Sequence, residues 1–223
     1  MWLWTADHDL DSGNNQRNIA TGRGMLVEAT AGTWLHGSAS EHNVLYQYHF
    51  HKAQNVFVGL QQGEAPYWQG IGSPKLAPGP WDPLSSYADP TFSNAPTGDA
   101  SSRMAWYNII DSSSNMFLYG SGFWTFFSHH ENVSQNSHCQ ANACLISGKT
   151  SNLYWFSLNT KSVLTMIQDY SSGVSITQND SPGSWGGNVA AYLMTASPMW
   201  DCSPKKERGL ASKFKDFAKK RLL

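Results

Sequence analysis

The sequence predicts an all-β protein whose short strands stack rung on rung as a parallel β-helix. Three observations point there. Charged residues are only 14% of the 223 residues, while Gly, Ser, Asn and aromatics abound, a balance that favours turns and short strands over amphipathic helices. Short β-type runs recur at 43–46, 55–58, 115–119 and 152–156, opened by Asn43, Asn55, Asn115 and Asn152. Sliding the chain by 23 positions lays Trp34-Leu35-His36-Gly37 onto Phe57-Val58-Gly59-Leu60, and Glu41 onto Glu64. A period in the twenties marks a solenoid.

Each element follows from these patterns. Asparagine tolerates left-handed and turn conformations at a coil corner, and its amide can stack on the same residue in the next rung. A β-sandwich also alternates short strands with turns; the 23-residue repeat favours the β-helix. Residues 66–96 hold seven of the ten prolines and read as a long loop overhanging the face of the glutamates. Residues 128–147 read as a surface excursion between coils, and Cys139 and Cys144 within it are the candidate disulfide pair. The coil pattern spans 1–195, followed by a linker at 196–204. A basic tail at 205–223 carries Leu210, Phe214, Phe217 and Leu222 on one face of a short C-terminal helix.

Charge narrows the partners. Residues 1–204 hold 7 Lys/Arg against 14 Asp/Glu, and the tail holds 8 against 2. An acidic body rich in Trp and Tyr suits a neutral polysaccharide, because phosphates would need basic residues among the aromatics; no nucleic-acid partner is expected. No run reaches transmembrane length, so no membrane partner is expected. The first residues lack the basic and apolar regions of a signal peptide and read like the middle of a strand. The sequons at Asn132 and Asn179, with the cysteine pair, suit an oxidising compartment.

Glu41 and Glu64 carry the candidate chemistry. On adjacent rungs, about 4.8 Å apart, two carboxylates share one face, and crowding with burial raises the pKa of such groups, as general acid catalysis requires. Trp4, Tyr46, Tyr48, Tyr67 and Trp68 are the candidate sugar platforms, since pyranose faces pack on aromatic rings. Asp7, Asp9 and Asp11 alternate, but Gly13 and Asn18 break the calcium-loop spacing. His49 with His51, and His129 with His130, lack zinc-ligand spacing. No metal or cofactor is expected. There is no Gly-x-Ser-x-Gly elbow and no phosphate-binding glycine loop.

Four segments resemble the C-terminal half of glycoside hydrolase family 55, exo-β-1,3-glucanases built from two tandem right-handed parallel β-helices of the pectate-lyase-like kind. They are Trp2 to Asp11, Thr21 to Glu28, Ser40 to Tyr48 with Gln61 to Gln69, and Ser157 to Lys161. The resemblance implies a right-handed coil, a secreted enzyme, β-1,3-glucan as substrate and a second β-helix upstream. It further implies inverting hydrolysis without a metal. Glu64 would be the general acid, and Glu41 a partner to the attacking water, as base or electrostatic support. Ser184-Trp185-Gly186-Gly187 and the basic tail depart from the family's usual ending. Two other readings are a non-catalytic glucan-binding or degenerate β-helix module, and a pectin-type lyase or polygalacturonase. The latter is disfavoured by the few cations in the body.

Overall fold

The computed structural model describes residues 1–5, 19–125, 138–180 and 186–195, and of two short hairpins the backbone alone. The linker at 196–204 and the basic helix expected at 205–223 lie outside the described residues. So do both hairpins' side chains, Asn132 among them.

The described chain is all-β apart from two single-turn 3₁₀ segments. In order it forms β1 (Trp2–Trp4), β2 (His8–Asp9), β3 (Asn15–Gln16), β4 (Thr21–Val27), β5 (Thr33–Glu41), β6 (Asn43–His51), β7 (Gln54–Glu64) and β8 (Trp106–Asp111). There follow β9 (Ser114–Trp124), β10 (Phe127–Ser128), β11 (Glu131–Asn132), β12 (Gln140–Ser147), β13 (Ser151–Lys161), β14 (Val163–Asp169), β15 (Ser175–Thr177) and β16 (Gly187–Met194). One six-stranded sheet runs β1-β5-β7-β9-β13-β16 and the other β15-β14-β12-β8-β6-β4. From β4 to β9 the chain alternates between the two sheets, and again from β12 to β14. Neighbours are parallel except β16 against β13 and β15 against β14. Among the described residues no helix is long and apolar enough to cross a membrane.

The expected 23-residue offset is the register of β5 on β7: Trp34 pairs with Phe57, Leu35 with Val58 and Glu41 with Glu64. The asparagine ladder is also present. Asn55, Asn115 and Asn152 all sit at left-handed φ, between 50° and 59°. The Asn115 amide donates to Asn55 Oδ1 at 3.2 Å, and that of Asn152 to Asn115 Oδ1 at 3.1 Å. Asn43 takes another role: buried, it bonds Ser40, the Glu41 carbonyl and Gln47 within its own corner.

A second left-handed column crosses the first sheet in mid-strand, at Gly37, Leu60, Gly120 and Ser157. It shifts the side-chain alternation by one. Val56, Val58, Gln61 and Gly63 therefore face inward, and Phe57, Gln62 and Glu64 outward. The interior packs Tyr48, Phe50, Tyr107, Phe123 and Trp155 between the sheets. Two polar side chains bond across strands there, Trp155 Nε1 to Ser121 Oγ at 2.9 Å and Tyr107 Oη to the Gln61 carbonyl at 3.1 Å.

Three expectations are corrected. The proline-rich segment lies mainly over the second sheet, where Trp68 and Ala77 bury themselves against Val44, Leu45, Tyr46 and Ile109. Arg23 Nε reaches Asp89 Oδ1 at 2.8 Å and ties the segment down. Much of 128–147 is no excursion either, because Gln140–Ser147 is a core strand paired with β8 and β14. Finally, Cys139 and Cys144 are both buried free thiols, not a disulfide. Five residues of extended chain span about 16 Å, more than twice the roughly 7 Å that a disulfide bridges.

Candidate active site

Glu41 ends β5 and Glu64 ends β7, so register places their carboxylates side by side on the outer face of the first sheet. The same column continues on both sides. Trp4 pairs with Glu41, Glu64 with Trp124, and Trp124 with Lys161.

His42, between Glu41 and β6, completes the cluster. The corner turns so tightly that His42 adopts φ 61°, and its N–H donates to the Glu64 carbonyl at 2.9 Å. The ring is buried. Its Nδ1 lies 3.0 Å from the Thr5 carbonyl and its Nε2 lies 3.2 Å from Glu64 Oε2. A carbonyl only accepts, so Nδ1 carries a proton. Nε2 then either accepts from a protonated Glu64 or, as imidazolium, donates to its carboxylate. In both cases a proton is held between the two side chains. The Tyr67 hydroxyl donates to the same Oε2 at 3.2 Å, and its ring lies 4.4 Å from that of His42.

Glu41 is the more enclosed carboxyl, 7% exposed. Burial first, and the neighbouring Glu64 charge second, raise its pKa above the usual carboxylate range, against the opposing pull of His42. One oxygen or nitrogen from each of Glu41, His42 and Glu64 lies within 4.8 Å of the other two. The three groups thus offer ligand atoms to a cation as well as a shared place to a proton.

Of the aromatics expected to bind sugar, the structure brings Tyr67 and Trp4 to the carboxylates. Trp4 is 44% exposed and stacks on Trp2 with ring centroids 5.1 Å apart. Tyr46, Tyr48 and Trp68 are corrected: all three are buried, at 0%, 0% and 1%. Tyr48 faces the interior, where its hydroxyl donates to the Gln62 carbonyl at 3.1 Å. Tyr46 and Trp68 form the packing between the second sheet and the proline-rich segment. Sequence reasoning missed His42, Trp124 and Lys161. His42 follows Glu41 directly, and its place in a tight corner was the available signal.

The fold and site thus define a class: an all-β protein with two mostly parallel sheets and a carboxylate pair, backed by a histidine, on one face. No protein-family model matches the chain. It is 35% identical over 193 residues, 86% of its length, to an Arthroderma benhamiae protein named "Probable glucan endo-1,3-beta-glucosidase". It is 38% identical over 159 residues, 67% of its length, to a glucan 1,3-beta-glucosidase of Cochliobolus carbonum. It is also 35% identical over 184 residues, 82% of its length, to the non-secreted LysM effector LysM15 of Penicillium expansum. The matches cover 21%, 19% and 12% of those relatives' own lengths, so the chain spans about a fifth of them or less.

Proposed function

We propose that this chain carries the proton-donating half of a β-1,3-glucan hydrolase site. In this reading it belongs to glycoside hydrolase family 55, its two sheets are faces of one right-handed parallel β-helix over residues 1–195, and it works outside the cell. The observation that carries the reading is the register of Glu41 on Glu64, with His42 and Tyr67 both on Glu64 Oε2. Homology to proteins named glucan 1,3-beta-glucosidases supports the substrate.

Glu64 is the general acid. With His42 Nδ1–H fixed by Thr5, the proton held between Nε2 and Glu64 Oε2 is the one delivered: it leaves the bond to His42 and passes from the partly open carboxyl to the glycosidic oxygen. As the leaving oxygen takes that proton, the carboxylate formed is stabilised by the Tyr67 hydroxyl. Glu41, kept protonated longer than an ordinary carboxyl, spares Glu64 a second negative charge. Trp4 offers a ring against which a sugar packs.

The closeness of the carboxyls bears on Glu41. Inverting enzymes separate acid and base by about 6.5–9.5 Å, so that sugar and water fit between them. Oxygens within 4.8 Å of each other leave no such room, so Glu41 acts as the electrostatic partner on the acid's side. The attacking water then comes from the opposite wall, which we assign to a second β-helix in a longer polypeptide. This chain by itself should hydrolyse glucan poorly. Glucose release from laminarin by a polypeptide carrying both halves, with and without Glu64→Gln, tests the assignment: undiminished release by the variant would overturn it.

A second reading is a glucan-binding module without catalysis. The match to a protein named as a LysM effector favours it, since related sequence then occurs in a differently named protein. Laminarin binding without turnover by the polypeptide carrying both halves would select it.

A further inference from the structure

Beyond Glu64 the proline-rich segment leaves a cavity of about 330 Å³ where residues 89–96 pass over β8 and β12. That volume falls within the roughly 300–1,000 Å³ of small-molecule sites. None of its described lining belongs to the sheet of the carboxylates, and it includes neither Tyr67 nor His42.

The walls specify the chemistry of an occupant. Among the described residues their one charged side chain is Asp89, and its carboxylate is already occupied, accepting from Arg23 Nε and from the Leu84 N–H, each at 2.8 Å. No lysine, arginine or histidine lines the cavity among the described residues, so an acidic or phosphorylated ligand finds no counter-charge there. With Asp89 satisfied, a cation has no partner either. What remains is aromatic and uncharged polar: Phe92, Trp106 and Tyr170 with Asn94 and Asn142. Rings beside amides are what a neutral sugar requires, since its C–H faces pack on rings and its hydroxyls both donate and accept.

The loop is also held in place. Phe92 has φ 56°, a left-handed conformation costly for a bulky residue and sustained only where its surroundings over-determine it. Here its side chain packs on the buried cluster of Val44, Tyr46 and Trp68, and its carbonyl accepts from the Ala95 N–H at 3.1 Å. The outward-facing Asn94 is therefore presented from a fixed turn.

We propose that this cavity is a second, non-catalytic saccharide site that takes a neutral hexose unit and holds glucan chains away from the carboxylates. Only the identity of the sugar rests on the function proposed above; its neutrality comes from the cavity walls. The test is retardation of the chain in native gels containing laminarin. It would compare the parent with the double variant Asn94→Ala/Tyr170→Ala, whose two positions are exposed. The parent should be retarded. The double variant should bind about tenfold more weakly, equivalent to about 1.4 kcal/mol, with an unchanged melting temperature. If it does not fold, the two single variants serve the same comparison. Polygalacturonate should retard none of them. No retardation of the parent, or equal retardation of the double variant, would overturn the proposal. The two ideas fail separately, because retardation without hydrolysis in the longer polypeptide would sink only the hydrolase reading.

Discussion

Glu41 and Glu64 stand opposite each other on adjacent parallel strands, and His42, one residue past Glu41, folds back onto Glu64 Oε2 at 3.2 Å. One tight corner thus supplies both a neighbouring carboxyl and a proton partner to a single glutamate.

The raised pKa of Glu41 sets a pH dependence. Above the ordinary carboxylate range the folded state still holds a proton that the unfolded chain has released. Stability conferred by this group is therefore full below the unfolded pKa and lost as pH rises through the folded one. Glu41→Gln removes that penalty. The variant should melt about 2 °C above the parent at pH 7, and the advantage should vanish near pH 4. An advantage independent of pH would show that ionisation is not its cause.

In a polypeptide carrying both halves, His42→Asn should lower kcat on laminarin by about tenfold, the upper range for loss of one hydrogen bond, with KM little changed and an altered pH profile. Changes in melting temperature alone, with an unaltered profile, would reduce His42 to a structural corner residue.

The asparagine ladder predicts graded stability. Asn115→Ala loses one donated and one accepted amide bond and places a Cβ-bearing residue without that compensation at φ 55°. It should cost about 2 kcal/mol, or roughly 4–8 °C. Asn115→Gly relieves the backbone and should cost less. Equal losses would mean that backbone conformation contributes nothing measurable there.

Parts of this arrangement were legible in the sequence for a physical reason. No insertion separates β5 from β7, so their 23-residue period survives as text. Trp124 and Lys161 share the column of Glu64, but at offsets of 60 and then 37 residues, because chain segments of different length separate these strands and erase a fixed period. Tyr46, Tyr48 and Trp68 were misjudged because alternation reveals which residues share a face but not what covers it. On β6 one face meets the interior and the other meets the proline-rich segment, so nearly every residue is buried. His42 was overlooked because a histidine in a tight corner has no periodic signature.

The thiols give a direct chemical check on the strand assignment. Burial pushes the Cys139 thiol up to about 11 and the Cys144 thiol well above its ordinary value. Native protein should resist alkylation at both, and protein unfolded without reductant should be labelled at both. A peptide with Cys139 linked to Cys144 would contradict the β12 strand.

The central claim is that Glu64 donates the proton to the leaving oxygen, and leaving-group dependence in a polypeptide carrying both halves tests it most directly. Glu64→Gln should lose about 100-fold or more on laminarin, where departure needs protonation, and markedly less on an aryl β-glucoside whose leaving group departs without it. Equal losses on both substrates, or near-normal turnover of laminarin, would contradict the account.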